Sequence, residues 1–368
     1  MTKAAKLGGI FGNVALLDIA SMHPSSIEAM QLFGPKYTKR FSEIKQARIA
    51  IKHKDYDKVA TLLNGALKDL IDVHEENSEL AYALKIAINS VYGLTSAKFP
   101  NPFNDVAAGR NDRNKDNKVA KRGALFMIML KHEVQRRGYT VVHIKTDSIK
   151  IADADQFIVD YVTETGKKYG YDFELEAVYD RLCIVNKSTY IAHAIYGDPH
   201  TEDHGWTATG LQFQVPYVFK TLFSGNPIEF RDLSETKSAT SSLYLDFNEG
   251  LPEGEHKYSF VGKVSAFSPV KPGCGGGLLM RQQVDKMDHS KVTYAAAGGT
   301  KGWRWKESSI LRDEHLEDQV DKSYYDKLVD DALKTINEYG DYDAFVDLKE
   351  PYISPNPDCN QFVNDILA

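Results

Sequence analysis

The stretch that most constrains this chain is residues 141–151, VVHIKTDSIKI, in which two apolar runs flank a short polar segment. Runs rich in Val and Ile that are separated by polar turn residues are typical of two paired strands. The sequence therefore predicts a hairpin with Asp147 held in its turn. A Thr-Asp-Ser turn usually makes only local hydrogen bonds, so a functional interpretation of Asp147 requires a second carboxylate on another buried strand.

Near the start of the chain, a second carboxylate follows an apolar run. Residues 14–17 read VALL and lead directly into Asp18, which predicts a buried strand with a charge at its exit. Because an unpaired buried carboxylate is costly, Asp18 is expected to have a partner. Two strand-end carboxylates suit a Mg²⁺ site that is completed by substrate phosphates. The sequence thus predicts a divalent-metal site for phosphoryl transfer at Asp18 and Asp147.

Composition limits the class of protein. The chain has 368 residues, of which 42% are hydrophobic and 26% charged, as in an ordinary globular protein with two or three subdomains. No apolar run is long enough to span a bilayer and no signal-peptide pattern is present, so no membrane partner is expected. The three cysteines have neither zinc spacing nor an even disulfide count, which favours a reducing, cytoplasmic compartment.

The net charge of −6 hides an uneven distribution. Residues 1–150 contain 24 Lys and Arg against 15 Asp and Glu, a net of +9, and the remaining 21 against 36 give −15. A basic half modestly favours a polyanionic partner. An acidic half that merely keeps the protein soluble explains the same distribution.

Three segments resemble motifs of family B DNA polymerases. Residues 18–25, DIASMHPS, are similar to motif A, usually Asp-x-x-Ser-Leu-Tyr-Pro-Ser. Residues 85–93, KIAINSVYG, match every fixed position of motif B, Lys-x-x-x-Asn-Ser-x-Tyr-Gly. Residues 145–148, KTDS, resemble motif C, usually Asp-Thr-Asp-Ser. The resemblance covers about residues 10–200, and the rest of the chain is most similar to phage-encoded members.

The resemblance implies a two-metal catalytic centre. Asp18 and Asp147 would be the catalytic carboxylates, and the backbone carbonyl of Ile19 would add an oxygen ligand. The implied cofactor is a pair of Mg²⁺ ions, with Mn²⁺ as an alternative.

Two predicted helices carry the candidates for binding the incoming nucleotide. On the motif B helix, Lys85, Asn89 and Tyr92 lie at i, i+4 and i+7 and share one face, which suits phosphate, sugar and base. On the preceding helix, Arg48 and Lys52 have the spacing with which the family holds the triphosphate. A solvated basic face is the usual explanation for such a run.

His23 occupies the motif A position of the family Tyr that packs under the deoxyribose. The resemblance implies that His23 is a gate against a 2′-hydroxyl, with weaker exclusion because an imidazole is smaller than a phenol. The alternative is that His23 helps to cap a following helix together with Pro24 and Ser25.

Three further residues are assigned to DNA, two of them by the resemblance. Lys187 and Tyr190 lie in NKSTY at residues 186–190, which is similar to the Lys-x-x-Tyr element that touches the primer–template duplex. Lys145 stands where motif C usually has its first Asp. Its ammonium is expected to turn toward the outer oxygen of Asp147 or a primer phosphate.

Hydrophobic periodicity predicts the remaining elements. Helices are predicted over residues 37–54, 58–73, 117–137, 155–169 and, as the terminal helix, 321–339, with the motif B helix starting at Asn77 or Ser78 and ending at Gly93. Strands are predicted over residues 173–178, 182–185, 189–194, 243–247 and 258–267, and an extended segment over 205–223.

Two basic segments allow two interpretations each. One segment is a loop followed by the start of a helix. Its cations would either contact DNA phosphates or form a solvated surface, and they are Arg110, Arg113, Lys115, Lys118, Lys121 and Arg122. The other is KGWRWK at residues 301–306, which would either stack on unpaired bases or bind the nucleic-acid backbone, or else form an ordinary amphipathic strand.

Taken with the resemblance, these elements imply an α+β right-hand polymerase fold. The palm would consist of residues 1–34 and 98–200, the helical fingers of residues 35–97, and the thumb with a β-rich insertion of residues 201–368. The implied function is template-directed DNA synthesis on a primer–template with dNTPs, in the cytoplasm of a phage-infected host cell.

Residues 1–13 leave no room for the proofreading exonuclease that precedes motif A in the family. The sequence therefore predicts no proofreading activity, and a separately encoded exonuclease or N-terminal polymerase subunit as a partner. The missing exonuclease and the Lys145 substitution also allow a different function, that of a non-catalytic DNA-binding or scaffold subunit of a split polymerase. A primase-like, RNA-synthesising role is a further alternative.

Overall fold

The computed structural model describes residues 8–74, 77–97, 99–103, 117–197, 203–285, 287 and 291–368. It combines helices and strands, in agreement with the predicted α+β class. The described residues form two compact units. Unit A comprises residues 11–182, 194–197 and 351–368, and unit B comprises residues 8–10, 183–193 and 203–350. The division into palm, fingers and thumb stays a prediction.

Helices and strands alternate irregularly along the chain. The strands are β1 (Gly9–Ile19), β2 (Thr140–Ile144), β3 (Ser148–Ala152), β4 (Phe173–Asn186), β5 (Thr189–Gly197), β6 (Trp206–Thr209), β7 (Glu235–Asp246), β8 (Tyr258–Val270), β9 (Leu278–Val284), β10 (Val292–Ala296) and β11 (Arg304–Glu307). The helices are α1 (Met22–Ala29), α2 (Gly34–Lys52), α3 (Tyr56–Thr61), α4 (Ser78–Ser96), α5 (Lys118–Arg136), α6 (Gln156–Lys168), α7 (Leu211–Gln214), α8 (Pro216–Phe219), α9 (Ser308–Asp313), α10 (Ser323–Asn337), α11 (Tyr342–Val346) and α12 (Pro357–Leu367). Of the helices in the described ranges, none is long and apolar enough to cross a membrane.

The predicted hairpin around Asp147 is confirmed as β2 and β3, which pair antiparallel with Ile144 opposite Ile149. On its other side β3 pairs with β1, and Asp18 lies opposite Ser148. In unit A the strand order is β2-β3-β1-β4. Because β3 lies between two partners, the turn that carries Asp147 is held beside the end of β1.

The core of unit A packs α5 and α6 against this sheet. Leu17 of β1, Ile149 of β3, Leu130 of α5 and Ile158 of α6 are all fully buried in one cluster. Burial of each such side chain contributes roughly 2 kcal/mol. The strands that carry the two carboxylates are therefore fixed by the largest apolar contacts of the unit.

The predicted helix over 117–137 is confirmed, and its ends follow from local chemistry. The Asn117 side chain accepts a hydrogen bond from the backbone N–H of Val119 at 2.8 Å, which caps the start of α5. Gly138 follows the end of α5 with a φ of 90°, a conformation that glycine adopts without strain. The helix predicted over 155–169 is confirmed as α6, with Asp155 as its cap.

The helix predicted over 58–73 is wrong. Helix α3 ends at Thr61, and Leu63 and Asn64 have φ angles of 56° and 59°. A continuous right-handed helix cannot contain this left-handed backbone. Leu63 is buried in a cluster with Ala47 and Ile51 of α2, so packing against α2 overrides the helical periodicity.

The predicted ends of the motif B helix are wrong in part. Helix α4 does not stop at Gly93 but continues to Ser96, and Thr95 is buried and accepts a hydrogen bond from the Asn117 amide at 2.8 Å. Asn77 stands at the predicted start, but its side chain makes no cap. Its Oδ1 instead accepts from the backbone N–H of Asp72 at 2.9 Å.

Unit B contains a second sheet, with strand order β10-β9-β7-β8-β11. The strands predicted over 243–247 and 258–267 are confirmed as parts of β7 and β8. The extended segment predicted over 205–223 is wrong beyond β6, because Phe213 and Val218 are buried on the short helices α7 and α8. Pro216 begins α8, a position where its missing N–H costs nothing.

Two further predictions in unit B have clear outcomes. The helix predicted over 321–339 is confirmed as α10, although α11 and α12 follow it and it is not terminal. Residues 304–307 form the strand β11, and the alternative of an exposed stacking segment is wrong for Trp305. That side chain is fully buried, and its indole N–H donates to the carbonyl of Thr300 at 3.1 Å.

Candidate functional site

Asp18 and Asp147 line one cavity of about 440 Å³ in unit A. Asp18 precedes the last residue of β1, and Asp147 lies in the turn between β2 and β3. The backbone N–H of Ile19 donates to the carbonyl of Asp147 at 2.8 Å. This bond extends the β1–β3 ladder into the turn. Because β1 and β3 are antiparallel, the end of β1 with Asp18 and the start of β3 after Asp147 lie at the same edge of the sheet.

Two helices contribute polar side chains to the same cavity. Arg48 and Lys52 come from the last turns of α2, and Lys85 and Asn89 come from the middle of α4. Lys45, on the same helix as Arg48, is instead buried. The cavity therefore combines carboxylates from the sheet with cations and an amide from the helices.

A strained residue holds Arg48 in place. Nη1 of Arg48 donates to the hydroxyl of Ser21 at 3.0 Å. Ser21 precedes α1 and has φ 66° and ψ 59°, a left-handed conformation that is unfavourable for residues other than glycine. The surrounding structure must therefore impose this conformation, which turns the hydroxyl toward α2.

His23 stacks on Tyr92. Their ring centroids are 3.8 Å apart and the planes differ by 4°, so the stack connects α1 to α4. His23 lies within α1, and its Nδ1 is buried without a hydrogen-bond partner among the described residues. The helix-capping alternative is therefore wrong. Burial lowers the pKa of His23, with the Asp147 charge opposing, which favours an uncharged ring.

Two carboxylates at the cavity, Glu174 and Glu176, were missed by the sequence interpretation. Both line the cavity from β4. Leu175 between them packs on the apolar core, so the two acids point to the opposite face of the strand. The alternation of acidic and apolar residues over residues 173–178 could have indicated that the two acids share one face of a strand. It does not indicate that this strand lies beside β1.

The electrostatics of the cavity follow from burial and from neighbouring carboxylates. The pKa of Asp18 is raised to about 7, first by burial and then by the charges of Asp147 and Glu176. Lys150 opposes this shift. It is only 2% exposed, and burial, followed by repulsion from Lys145, lowers its pKa to about 8.

The donor set fits a hard divalent cation. Asp18 and Asp147 supply carboxylate oxygens and Ile19 a backbone carbonyl, the ligand chemistry that Mg²⁺ prefers. Within the described residues, no three His, Cys, Asp or Glu side chains form a group able to hold a metal by themselves. A cation here would therefore take its remaining oxygens from substrate phosphates and water, as is usual for Mg²⁺.

The residues predicted to contact DNA do not line the cavity. Lys145 is exposed, and its backbone N–H donates to the carbonyl of Ser148 at 3.0 Å. Lys187 is exposed between β4 and β5 in unit B, and Tyr190 of β5 is only 9% exposed. Their roles at DNA stay predictions.

Most of the basic loop that was predicted to contact phosphates lies outside the described residues. This is the case for Arg110, Arg113 and Lys115. Arg122 is described and is engaged internally. Its Nη2 donates to the carbonyl of Tyr169 at 2.6 Å, and its guanidinium lies 4.8 Å from the ring centroid of Tyr171.

Comparison with known proteins finds similarity among solved structures. No protein-family model and no curated protein matches the chain. Among solved structures, it is similar to the family B DNA polymerase from the hyperthermophilic archaeon Pyrobaculum calidifontis, with a TM-score of 0.46 and 14% sequence identity over 90% of this chain. The chain spans 46% of the length of that polymerase.

Proposed function

We propose that this chain is a template-directed DNA polymerase of the family B type, which adds deoxynucleotides to a primer 3′ end. The observation that carries the proposal is the lining of a single cavity. Asp18 of motif A, Lys85 and Asn89 of motif B, and Asp147 of motif C all contribute to it. These residues come from three segments far apart in the chain and supply the carboxylates, the cation and the amide that metal-assisted phosphoryl transfer requires.

Asp18, Asp147 and the carbonyl of Ile19 would hold the metal ions. Two Mg²⁺ ions bound there would activate the primer 3′-oxygen and neutralise charge on the triphosphate and the leaving pyrophosphate. The raised pKa of Asp18, which burial and neighbouring carboxylates cause, supports this assignment because a bound cation would favour the charged carboxylate.

The cations of the two helices would bind the triphosphate. Arg48, Lys52 and Lys85 carry the positive charge at the cavity, and charge-assisted hydrogen bonds to phosphate oxygens stabilise the negative charge that shifts toward the leaving group. Asn89 would bind phosphate or sugar. Because the Ser21 hydroxyl already orients Arg48, little reorganisation is needed when the nucleotide binds.

The His23–Tyr92 stack would select the sugar. Two parallel rings in contact form a flat, rigid surface, and a deoxyribose packed on it would leave no room for a 2′-hydroxyl. The partners of the reaction would be primer–template DNA and dNTPs. A separately encoded exonuclease or N-terminal polymerase subunit stays a prediction.

Lys145 favours a second candidate function, a non-catalytic DNA-binding or scaffold subunit of a split polymerase. An ammonium replaces the first carboxylate of motif C, which reduces the negative charge available for metals. The scaffold would bind primer–template without extending the primer, whereas the polymerase does both.

Primer extension with Mg²⁺ and dNTPs distinguishes the two functions. We expect extension by the wild-type chain and a loss of about a thousandfold or more in Asp147→Asn, comparable to other losses of transition-state electrostatics. Asp160→Asn, a change at an exposed site on α6, is the matched control and should retain activity. DNA binding without any extension by the wild-type chain would contradict the polymerase and favour the scaffold.

A further inference from the structure

One cation of the cavity already has an anionic partner. Nζ of Lys52 lies 3.2 Å from Oε2 of Glu174, and Nε2 of His53 lies 3.7 Å from the other carboxylate oxygen. Lys52 is the last residue of α2 and Glu174 belongs to β4. The ion pair therefore connects the end of a helix to the strand beside the catalytic carboxylates.

Both members of the pair line the cavity. Arg48 on the same helix is held differently, because its Nη1 donates to the neutral hydroxyl of Ser21. A triphosphate that binds Lys52 must displace a carboxylate, whereas one that binds Arg48 displaces only a hydroxyl. The free-energy cost of freeing the cation is therefore higher at Lys52 than at Arg48.

The Lys52–Glu174 pair is weak enough to exchange. The two side chains are 65% and 41% exposed, and exposed ion pairs contribute little to stability. Phosphate oxygens with several negative charges are a stronger partner for an ammonium than one solvated carboxylate.

We infer that Glu174 is a positioning residue that holds Lys52 before the nucleotide arrives and releases it to the incoming triphosphate. Glu174 thereby lowers the affinity of the cavity for the triphosphate while keeping the Lys52 side chain in place. This inference rests on the proposed nucleotide site and adds the residue that tunes its affinity.

The test is the dissociation constant of a fluorescent deoxynucleoside triphosphate, measured by anisotropy on the full chain with Mg²⁺ and without DNA. Glu174→Gln keeps the shape of the side chain but removes its charge, and we expect the dissociation constant to fall about two- to fivefold, the range for one exposed ion pair. Lys52→Met should raise the dissociation constant. In the Lys52→Met background the effect of Glu174→Gln should disappear, because the cycle isolates the pair.

Glu43→Gln is the matched control. Glu43 forms an ion pair with Arg40 at 3.1 Å on the same helix, away from the residues that line the cavity, and its removal should leave nucleotide affinity unchanged. Thermal melting of every variant separates altered binding from altered folding.

The outcomes separate the inference from the proposed function. If the wild-type chain binds the nucleotide and Glu174→Gln binds it equally or more weakly at an unchanged melting temperature, the inference is overturned alone. Tightening that persists with Lys52→Met overturns it as well. If the wild-type chain and all variants fail to bind, the nucleotide site itself is wrong and the proposed function fails with it.

Discussion

The ring contact between His23 and Tyr92 depends on shape rather than on charge. The His23 Nδ1 has no hydrogen-bond partner in the part of the chain that the structure describes, and burial holds the pKa of the ring below its usual value. At neutral pH the imidazole is therefore uncharged, and what it presents is a flat face backed by a phenol.

At this scale we predict that His23→Ala weakens the selection of deoxyribose over ribose. Removing the ring opens space next to Tyr92, and the use of ribonucleotides relative to deoxyribonucleotides should rise about tenfold or more. His23→Phe keeps a planar ring and should preserve the selection. Single-nucleotide incorporation kinetics measure the ratio, and an unchanged ratio in His23→Ala would show that this ring is not the gate.

Among the secondary-structure elements, α4 and α5 are joined through one side chain. The side-chain oxygen Oδ1 of Asn117 caps α5 by accepting from the Val119 N–H. Its amide donates to the hydroxyls of Thr95 and Ser96, at 2.8 and 2.9 Å, in the last turn of α4. One residue thus positions the helix that carries motif B against the helix that supports the hairpin.

We predict that Asn117→Ala lowers the free energy of unfolding by about 1–2 kcal/mol, since it removes both the cap and the amide bonds. Asn117→Asp retains the cap and loses only the amide bonds, so it should cost less. Urea denaturation measures both variants. An aspartate variant as unstable as the alanine variant would mean that the connection between helices, and not the cap, contributes the stability, and no loss in either variant would contradict the prediction.

For the whole molecule, the reactivity of the three cysteines shows separately whether each of the two units is folded. Cys359 is fully buried in unit A and Cys183 fully buried in unit B, whereas Cys274 in unit B is half-buried. Burial raises the pKa of Cys183 to about 12 and also raises the pKa of Cys359. A raised pKa keeps a thiol protonated, and the protonated thiol is unreactive.

We therefore predict that a thiol reagent at pH 8 labels Cys274 rapidly in the native protein, and Cys183 and Cys359 only after denaturation. Peptide mass spectrometry at intermediate urea concentrations identifies which buried thiol reacts first, and so which unit opens first. Rapid labelling of either buried thiol without denaturant would contradict the packing of its unit.

The sequence alone was sufficient wherever neighbouring residues decide the structure. Apolar runs on both sides of Lys145–Ser148 predicted the hairpin, because strands joined by a tight turn pair with each other. The ends of α5 followed from Asn117 and Gly138, because caps act within one turn. Asp18 and Asp147 line the same cavity, since Asp18 lies at the end of the buried run of β1 and Asp147 directly precedes β3.

Only the tertiary structure decided which distant side chains meet. Glu174 and Glu176 lie at the cavity because β4 is the neighbour of β1, and no local pattern in the sequence determines strand order. Trp305 is buried although its segment is rich in cations, and Gly93 lies inside α4 although glycine often ends helices. Burial of the Trp305 indole outweighs the polarity of its neighbours, and the hydrogen bond from the Asn117 amide to the Thr95 hydroxyl holds the last turn of α4 beyond Gly93.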